Sequence, residues 1–396
     1  MKVNFRRPTL AQSFPHIPLL FGLIGALMIA GPGQAADPPP PDSWPLSRGN
    51  TLNQGVSAVT LPDQLELLWR FETDRPVKST PVIDDGRVFI GSDDGNVYAL
   101  NLATGEPLWT FDTGDAVEAP PIVVRGSIVV GSNSGFVYRL NAENGEEIWR
   151  FETQGKVMAP VNFAPQGDDI YLVFGSYDNN LYCVSFDSGE EIWRYATQNY
   201  INGGSAIKDN HVIVGGCDAL VHIVDIADGS PAAQIELEAY VASTIAVEGD
   251  WGYVGHYGNK FVGIDLANHE IAWSYSDRNF PFFSSAAIGP EQVVFGARDR
   301  RLHCVDKTTG ERLWQFRTRG RIDTSPVLCG DKIVVGSEDG NLYLINLTDG
   351  SEIWSYPIGA GIVGSPAVTQ DAVVIGSEDG AIYAFAPSTQ AKGEDE

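Results

Sequence analysis

Tryptophan recurs at positions 69, 109, 149, 193, 273, 314 and 354, at intervals of 40, 40, 44, 80, 41 and 40 residues. The doubled interval conceals one lost member. There "DGSPAAQIEL" keeps the turn glycine, Gly229, but carries Ala233 where the indole belongs. A second marker, the first glycine of a GSxDG-type turn, falls at Gly91, Gly131, Gly175, Gly215, Gly255, Gly296, Gly336 and Gly376. Both series give eight units of about 40 residues, a period at which one unit cannot bury its own apolar face and must stack on the next.

Within each unit an inner segment such as "TSPVL" leads to an apolar run ("KIVVGS", "SIVVGS", "AVVIGS", "HVIVGG"), then to a strand such as "NLYLIN", then to the Trp strand "EIWSY". Runs that are apolar at every position belong to sheets covered on both faces. Enrichment in Val, Ile, Tyr and Trp, with glycine turns every 8 to 12 residues, excludes the helical repeats of similar period. In "GSEDGN" the Asp can bond its own backbone while the following Gly accepts a positive φ.

The fold class predicted is all-β, an eight-bladed propeller of four-stranded antiparallel blades. The last unit, "AIYAFAPSTQ", lacks a Trp strand, while "LELLWRF" precedes the first complete unit. The strand around Trp69 is therefore expected to complete the last blade and close the ring. The predicted parts are a signal peptide at 1–35, a Pro-rich linker and lead-in at 36–62, the propeller at 63–387 and an acidic tail at 388–396.

The signal assignment rests on Lys2, Arg6 and Arg7 ahead of the apolar run "IPLLFGLIGALMIA", with small residues Gly33 and Ala35 at the cut. That run falls short of the roughly 20 residues a spanning helix needs. Removing 1–35 leaves 23 Lys and Arg against 51 Asp and Glu, a net charge of −28. Such a body repels nucleic acid and anionic lipid. Export permits disulfides, yet Cys183 and Cys304 occupy the same repeat position that holds Ala99, Ala384 or Leu344 elsewhere. All four cysteines are read as free thiols. No CxxC, GxSxG, HExxH, P-loop or EF-hand pattern occurs.

"LNLATGEPLW", "VSFDSGEEIW", "VDKTTGERLW" and "INLTDGSEIW" resemble the tryptophan-docking repeats of the PQQ-type eight-bladed propellers, which include quinoprotein alcohol dehydrogenases and the outer-membrane assembly lipoprotein BamB. "SWPLSRGNTLNQGVS" (43–57) resembles the lead-in of such chains. The resemblance implies two functions. One is quinone-dependent alcohol oxidation, which in that family uses a Glu and an Asn on calcium, an Asp base, and usually two adjacent cysteines. The other is a non-catalytic envelope scaffold.

Aligning inner strands back from each GSxDG turn gives one equivalent channel position: Lys78, Glu118, Met158, Asn202, Ala242, Phe283, Asp323 and Val363. Glu118 and Asn202 lie two blades apart and imitate the metal pair. The Asp expected about one blade further on is missing from "VASTIAV", and no adjacent Cys pair exists. Lys78, Glu118, Asn202 and Asp323 are therefore read as channel lining. PQQ and calcium are expected only under the dehydrogenase alternative, and no other cofactor or metal is expected. His222 and His303 stand where other units carry Tyr and are read as packed, hydrogen-bonded histidines.

Departures from a repeat concentrate at functional or strained places. Here they cluster in units four to six, where the turns read "GGCDA", "GHYGN" and "GARDR". Tyr240, Trp251, His256, Tyr257, Phe280, Phe282 and Phe283 are candidates for an exposed binding rim, with Arg298, Arg300 and Arg301 as a basic patch. Phe282 aligns with the apolar inner position of Val77. The sequence thus predicts an exported, periplasmic or envelope, monomeric scaffold without catalytic residues that binds a protein or peptide. A quinoprotein, or a small-ligand sensor using the channel, is the alternative.

Overall fold

The computed structural model describes residues 38–388. The candidate signal segment and the acidic tail from residue 389 onward lie outside these. All named elements are strands, and no helix among the described residues is long and apolar enough to cross a membrane. The strands form eight sheets, each with four antiparallel strands. Blades 1 to 7 span 82–112, 122–152, 162–196, 206–236, 246–275, 287–317 and 327–357. Blade 8 pairs Ala367–Val368, Val373–Ser377 and Ala381–Pro387 with Leu65–Glu72, and Trp69 stands opposite Ala384.

Three devices lock blade to blade. The first is a close approach. A Cβ added at Gly91, Gly131, Gly175, Gly215, Gly255, Gly296, Gly336 or Gly376 would collide with an apolar residue of a neighbouring loop, such as Val117 or Val157. This explains the first glycine of each GSxDG turn, while the last, such as Gly95 at φ 95°, supplies the left-handed backbone. Phe282 fills this apolar place beside Gly255 and is buried.

The second device is the indole. Trp69, Trp109, Trp149, Trp193, Trp273 and Trp314 each donate Nε1–H to a backbone carbonyl of the next blade at 2.8–3.1 Å. Each ring lies over that blade's turn glycine. The third is a ring of hydroxyls at the inner ends of the blades. Gly204 N–H donates to Thr244 Oγ1, Thr244 N–H to Ser285 Oγ, Ser285 N–H to Ser325 Oγ, Ser325 N–H to Ser365 Oγ and Ser365 N–H to Thr80 Oγ1. Pro120 and Pro160 occupy two other places and have no N–H to satisfy. The bond from Ser365 to Thr80 joins the last blade to the first.

Residues 41–57 cross the ring at the end where the inner hairpins lie. Carbonyls of Pro41, Trp44, Pro45, Thr51, Leu52, Gln54 and Gly55 accept from Gln370, Ile83, Val123, Ile207, Val247, Ile288 and Leu328 N–H. Asn162 Nδ2 also donates to Thr51 O, so every blade is touched. Val56–Ser57 adds a fifth, parallel strand to blade 7. Trp44 is fully buried. The buried Arg48 guanidinium donates to Ala286 O and Pro326 O, and desolvation lowers its pKa to about 9. The lead-in is part of the folded body.

Candidate functional site

The opposite end of the ring carries two sets of connections: the loop entering each blade, and the turn between its second and third strands. One backbone bond recurs eight times between them. N–H of Asp93, Asn133, Tyr177, Cys217, Tyr257, Arg298, Glu338 and Glu378 donates to O of Pro76, Ala116, Lys156, Tyr200, Tyr240, Pro281, Arg321 and Gly361 respectively. The scaffold is thus eightfold, and only side chains differ.

They differ by sector. From blade 3 to blade 6 the ring is aromatic. Tyr177 stacks on Tyr200 with centroids 4.9 Å apart, and its Oη donates to Asn202 Oδ1 at 3.0 Å. Tyr240 meets Tyr257 at 5.9 Å, and Tyr257 meets Phe283 edge-on at 4.6 Å. Arg298 covers the Phe283 ring at 3.6 Å and grips the Asp323 carboxylate with Nε and Nη2. Tyr200, Tyr240, Tyr257 and Phe280 are 45–54% exposed, large open rings on a folded surface.

From blade 7 round to blade 2 the same positions carry charge: Asp323, Glu338, Glu378, Lys78, Asp93 and Glu118. Lys78 pairs with Asp93 at 2.5 Å, and that bond together with Glu118 and Glu378 raises its pKa. Burial and the neighbouring Asp323 push the Glu338 carboxyl up. Glu118 accepts from Asn133 Nδ2 at 3.1 Å. Burial also raises the phenols of Tyr177 and Tyr257, with the Cys217 thiol adding to both.

Tyr240, Tyr257, Phe280 and Phe283 therefore share one end of the ring, and Lys78, Glu118, Asn202 and Asp323 line the same surface. Three expectations need correction. His256 is buried, not a rim residue; its Nδ1 accepts from Gly258 N–H, and burial lowers its pKa. Trp251 starts the strand Trp251–His256 and stacks on Tyr253, so the strand's length, about 3.3 Å per residue, sets it at the opposite end from Tyr257. The three arginines form no patch. Arg298 is neutralised by Asp323, Arg301 by Asp277 and Asp299, and Arg300 alone stands exposed.

Tyr177 and Tyr200 were missed. Tyr177 holds the turn place that Tyr257 holds, and Tyr200 the loop place of Tyr240, so laying the eight turns over one another would have revealed both. His222 and His303 are packed as read: each bonds an Asp four residues earlier and a Tyr hydroxyl. All four cysteines are free.

As a calcium and quinone cradle the donors are few. Glu118 and Asn202 are already engaged, the next equivalent position is Ala242, and no group of three His, Cys, Asp or Glu side chains that could hold a metal occurs among the described residues. Calcium takes about 6–8 oxygens. The surface combines aromatic rings, one stacked Arg and a charged margin, the rings and the Arg being residue types enriched in interfaces.

The family model for outer membrane protein assembly factor BamB matches residues 53–199, 177–302 and 298–392. No curated protein matches the chain. Among solved structures, BamB from Moraxella catarrhalis aligns with a TM-score of 0.67 at 20% identity, over 82% of this chain and all of that one. Quinohemoprotein alcohol dehydrogenase from Comamonas testosteroni aligns at 0.74 with 13% identity, over 90% of this chain and 82% of that one. The computationally designed protein Ika8 aligns at 0.71 with 17% identity, over 82% of this chain and 100% of its own. At such identities these likenesses speak for the fold.

Proposed function

The chain belongs to the outer membrane protein assembly factor BamB family, and on that premise we propose that it is a non-catalytic propeller scaffold of the cell envelope. Its partner is a protein or peptide engaged in outer-membrane protein assembly. The observation that carries this reading is the continuous run Tyr240, Tyr257, Phe283, Arg298 and Asp323 across blades 5 to 7.

A rigid ring loses little conformational freedom on binding, and rings with a stacked guanidinium are the groups that dominate interface energies. The Arg298–Asp323 pair holds the guanidinium flat on Phe283 before any partner arrives. The thin donor set around Glu118 and Asn202 further supports a binding role over quinone chemistry.

Capture of assembly partners from envelope extracts by the immobilised protein tests the reading. Tyr240→Ala with Tyr257→Ala should lower captured material by at least about tenfold, the scale of two interface hot spots. Capture equal to wild type by this folded variant would remove the proposed surface.

A further inference from the structure

The lost tryptophan leaves a cleft. Ala233 stands opposite Ile223 in the blade 4 sheet, as Trp193 stands opposite Cys183 in blade 3. Trp193 donates to Ile226 O and lies over Gly229; the matching places in blade 5 are Leu266 and His269. Between these blades lies a cleft of about 330 Å3. Ile213, Ile223 and Leu266 form its apolar floor, and His211, Ala232 and His269 stand at its sides. Lys208 ties Asp209 to Asp250 at 3.0 and 3.2 Å across one margin. An apolar cavity of about 150 Å3 already admits benzene, so this one has room for a larger ring.

We propose that this cleft receives a tryptophan side chain carried on an extended segment of a partner polypeptide, replacing in trans the indole that the repeat has lost. Six sibling sites of the same ring show what the surroundings accept: a flat ring between blades and an indole N–H on a backbone carbonyl. The outer strand Pro231–Glu236 is the open edge of its sheet, with Ala232 exposed beside the cleft. A segment pairing with that edge sets alternate side chains over it.

His269 adjusts the pose. At the sibling glycines a Cβ would stand 2.7 Å from the indole at Gly145, Gly189 and Gly229. His269 supplies such a Cβ at φ 57°. The guest ring therefore lies displaced toward Ile213 and Ile223, with the imidazole as a wall. The site is at the end of the ring opposite Tyr240, Tyr257 and Phe283, so its failure leaves the reading of that aromatic surface untouched.

The test is fluorine NMR titration of the full chain with a short extended peptide holding one fluorotryptophan. Line broadening reversed by the unlabelled Trp peptide, and not by its Trp→Ala counterpart, is expected. Ala232→Arg, at an exposed position that leaves folding intact, should weaken binding at least about tenfold by obstructing the cleft. Ala233→Trp with His269→Gly, which rebuilds a sibling site in cis, should abolish it. The proposal is overturned if the wild type gives no broadening, if the Ala peptide competes equally, or if N-acetyl-tryptophanamide alone binds as tightly as the peptide. Binding unchanged in Ala232→Arg also overturns it.

Discussion

The indole of Trp193 lies on Gly229 of the following blade, where a Cβ would come within 2.7 Å of Cδ2, and its Nε1–H reaches Ile226 O at 2.8 Å. The contact joins packing and hydrogen bonding in one residue. Trp193→Ala should cost about 3–5 kcal/mol, the range for a buried aromatic lost to a cavity. Gly229→Ala should also destabilise, because it meets both the ring and a backbone at φ 73°. Denaturant unfolding measures both; a loss under about 1 kcal/mol for Trp193→Ala would contradict this account of the blade seam.

Acid should loosen the blades through their turn aspartates. Tyr182 Oη donates to Asp178 at 2.7 Å, Tyr343 to Asp339 at 2.9 Å and Tyr383 to Asp379 at 2.6 Å. Burial pushes each carboxyl up, but the Tyr hydroxyls and neighbouring donors outweigh it and leave all three below the ordinary 3.8. A depressed folded pKa means stability present above the unfolded value and lost as pH falls through the folded one. The thermal midpoint should hold down to about pH 4 and fall below it. Tyr182→Phe should flatten that acid limb, and an unchanged slope would exclude the pair as its source.

Thr80 Oγ1 receives Ser365 N–H where the last blade meets the first. Thr80→Val keeps the shape and leaves a buried donor unpaired, for a loss of about 1–3 kcal/mol. Amide hydrogen exchange should show blades 8 and 1 opening before the others. Uniform opening around the ring would show that this seam is no weaker than its siblings.

Ala219 sits at φ 65° in the place where complete turns carry glycine. A left-handed alanine costs about 1–2 kcal/mol, so Ala219→Gly should raise stability by about 1 kcal/mol. A lowered midpoint would mean that the Ala219 side chain has a packing role.

Arg298→Lys keeps a charge beside Asp323 but loses the flat stack on Phe283. Partner capture should fall with Arg298→Lys nearly as far as with Arg298→Ala. Full retention by the lysine variant would assign the contact to charge alone.

Much of this was legible in the residues. Spaced glycines and tryptophans gave eight units and all-β blades because turn chemistry and strand periodicity are local. The same alignment placed Lys78, Glu118, Asn202 and Asp323 on one surface and Phe282 in the core. Pairing across the ring was harder to read. His256 and Tyr257 are neighbours in sequence, yet one is buried and the other 46% exposed, since the strand Trp251–His256 ends between them and Tyr257 opens the turn beyond it.

The sequence by itself determined the number of blades, their strands and the site of the missing indole, all properties repeated within about 40 residues. Tertiary structure alone decided that 41–57 spans the ring, that Tyr177 and Tyr200 join Tyr240 and Tyr257, and that Arg298 and Arg301 are spoken for by carboxylates. Those outcomes depend on contacts between residues up to hundreds of positions apart, which no local pattern encodes.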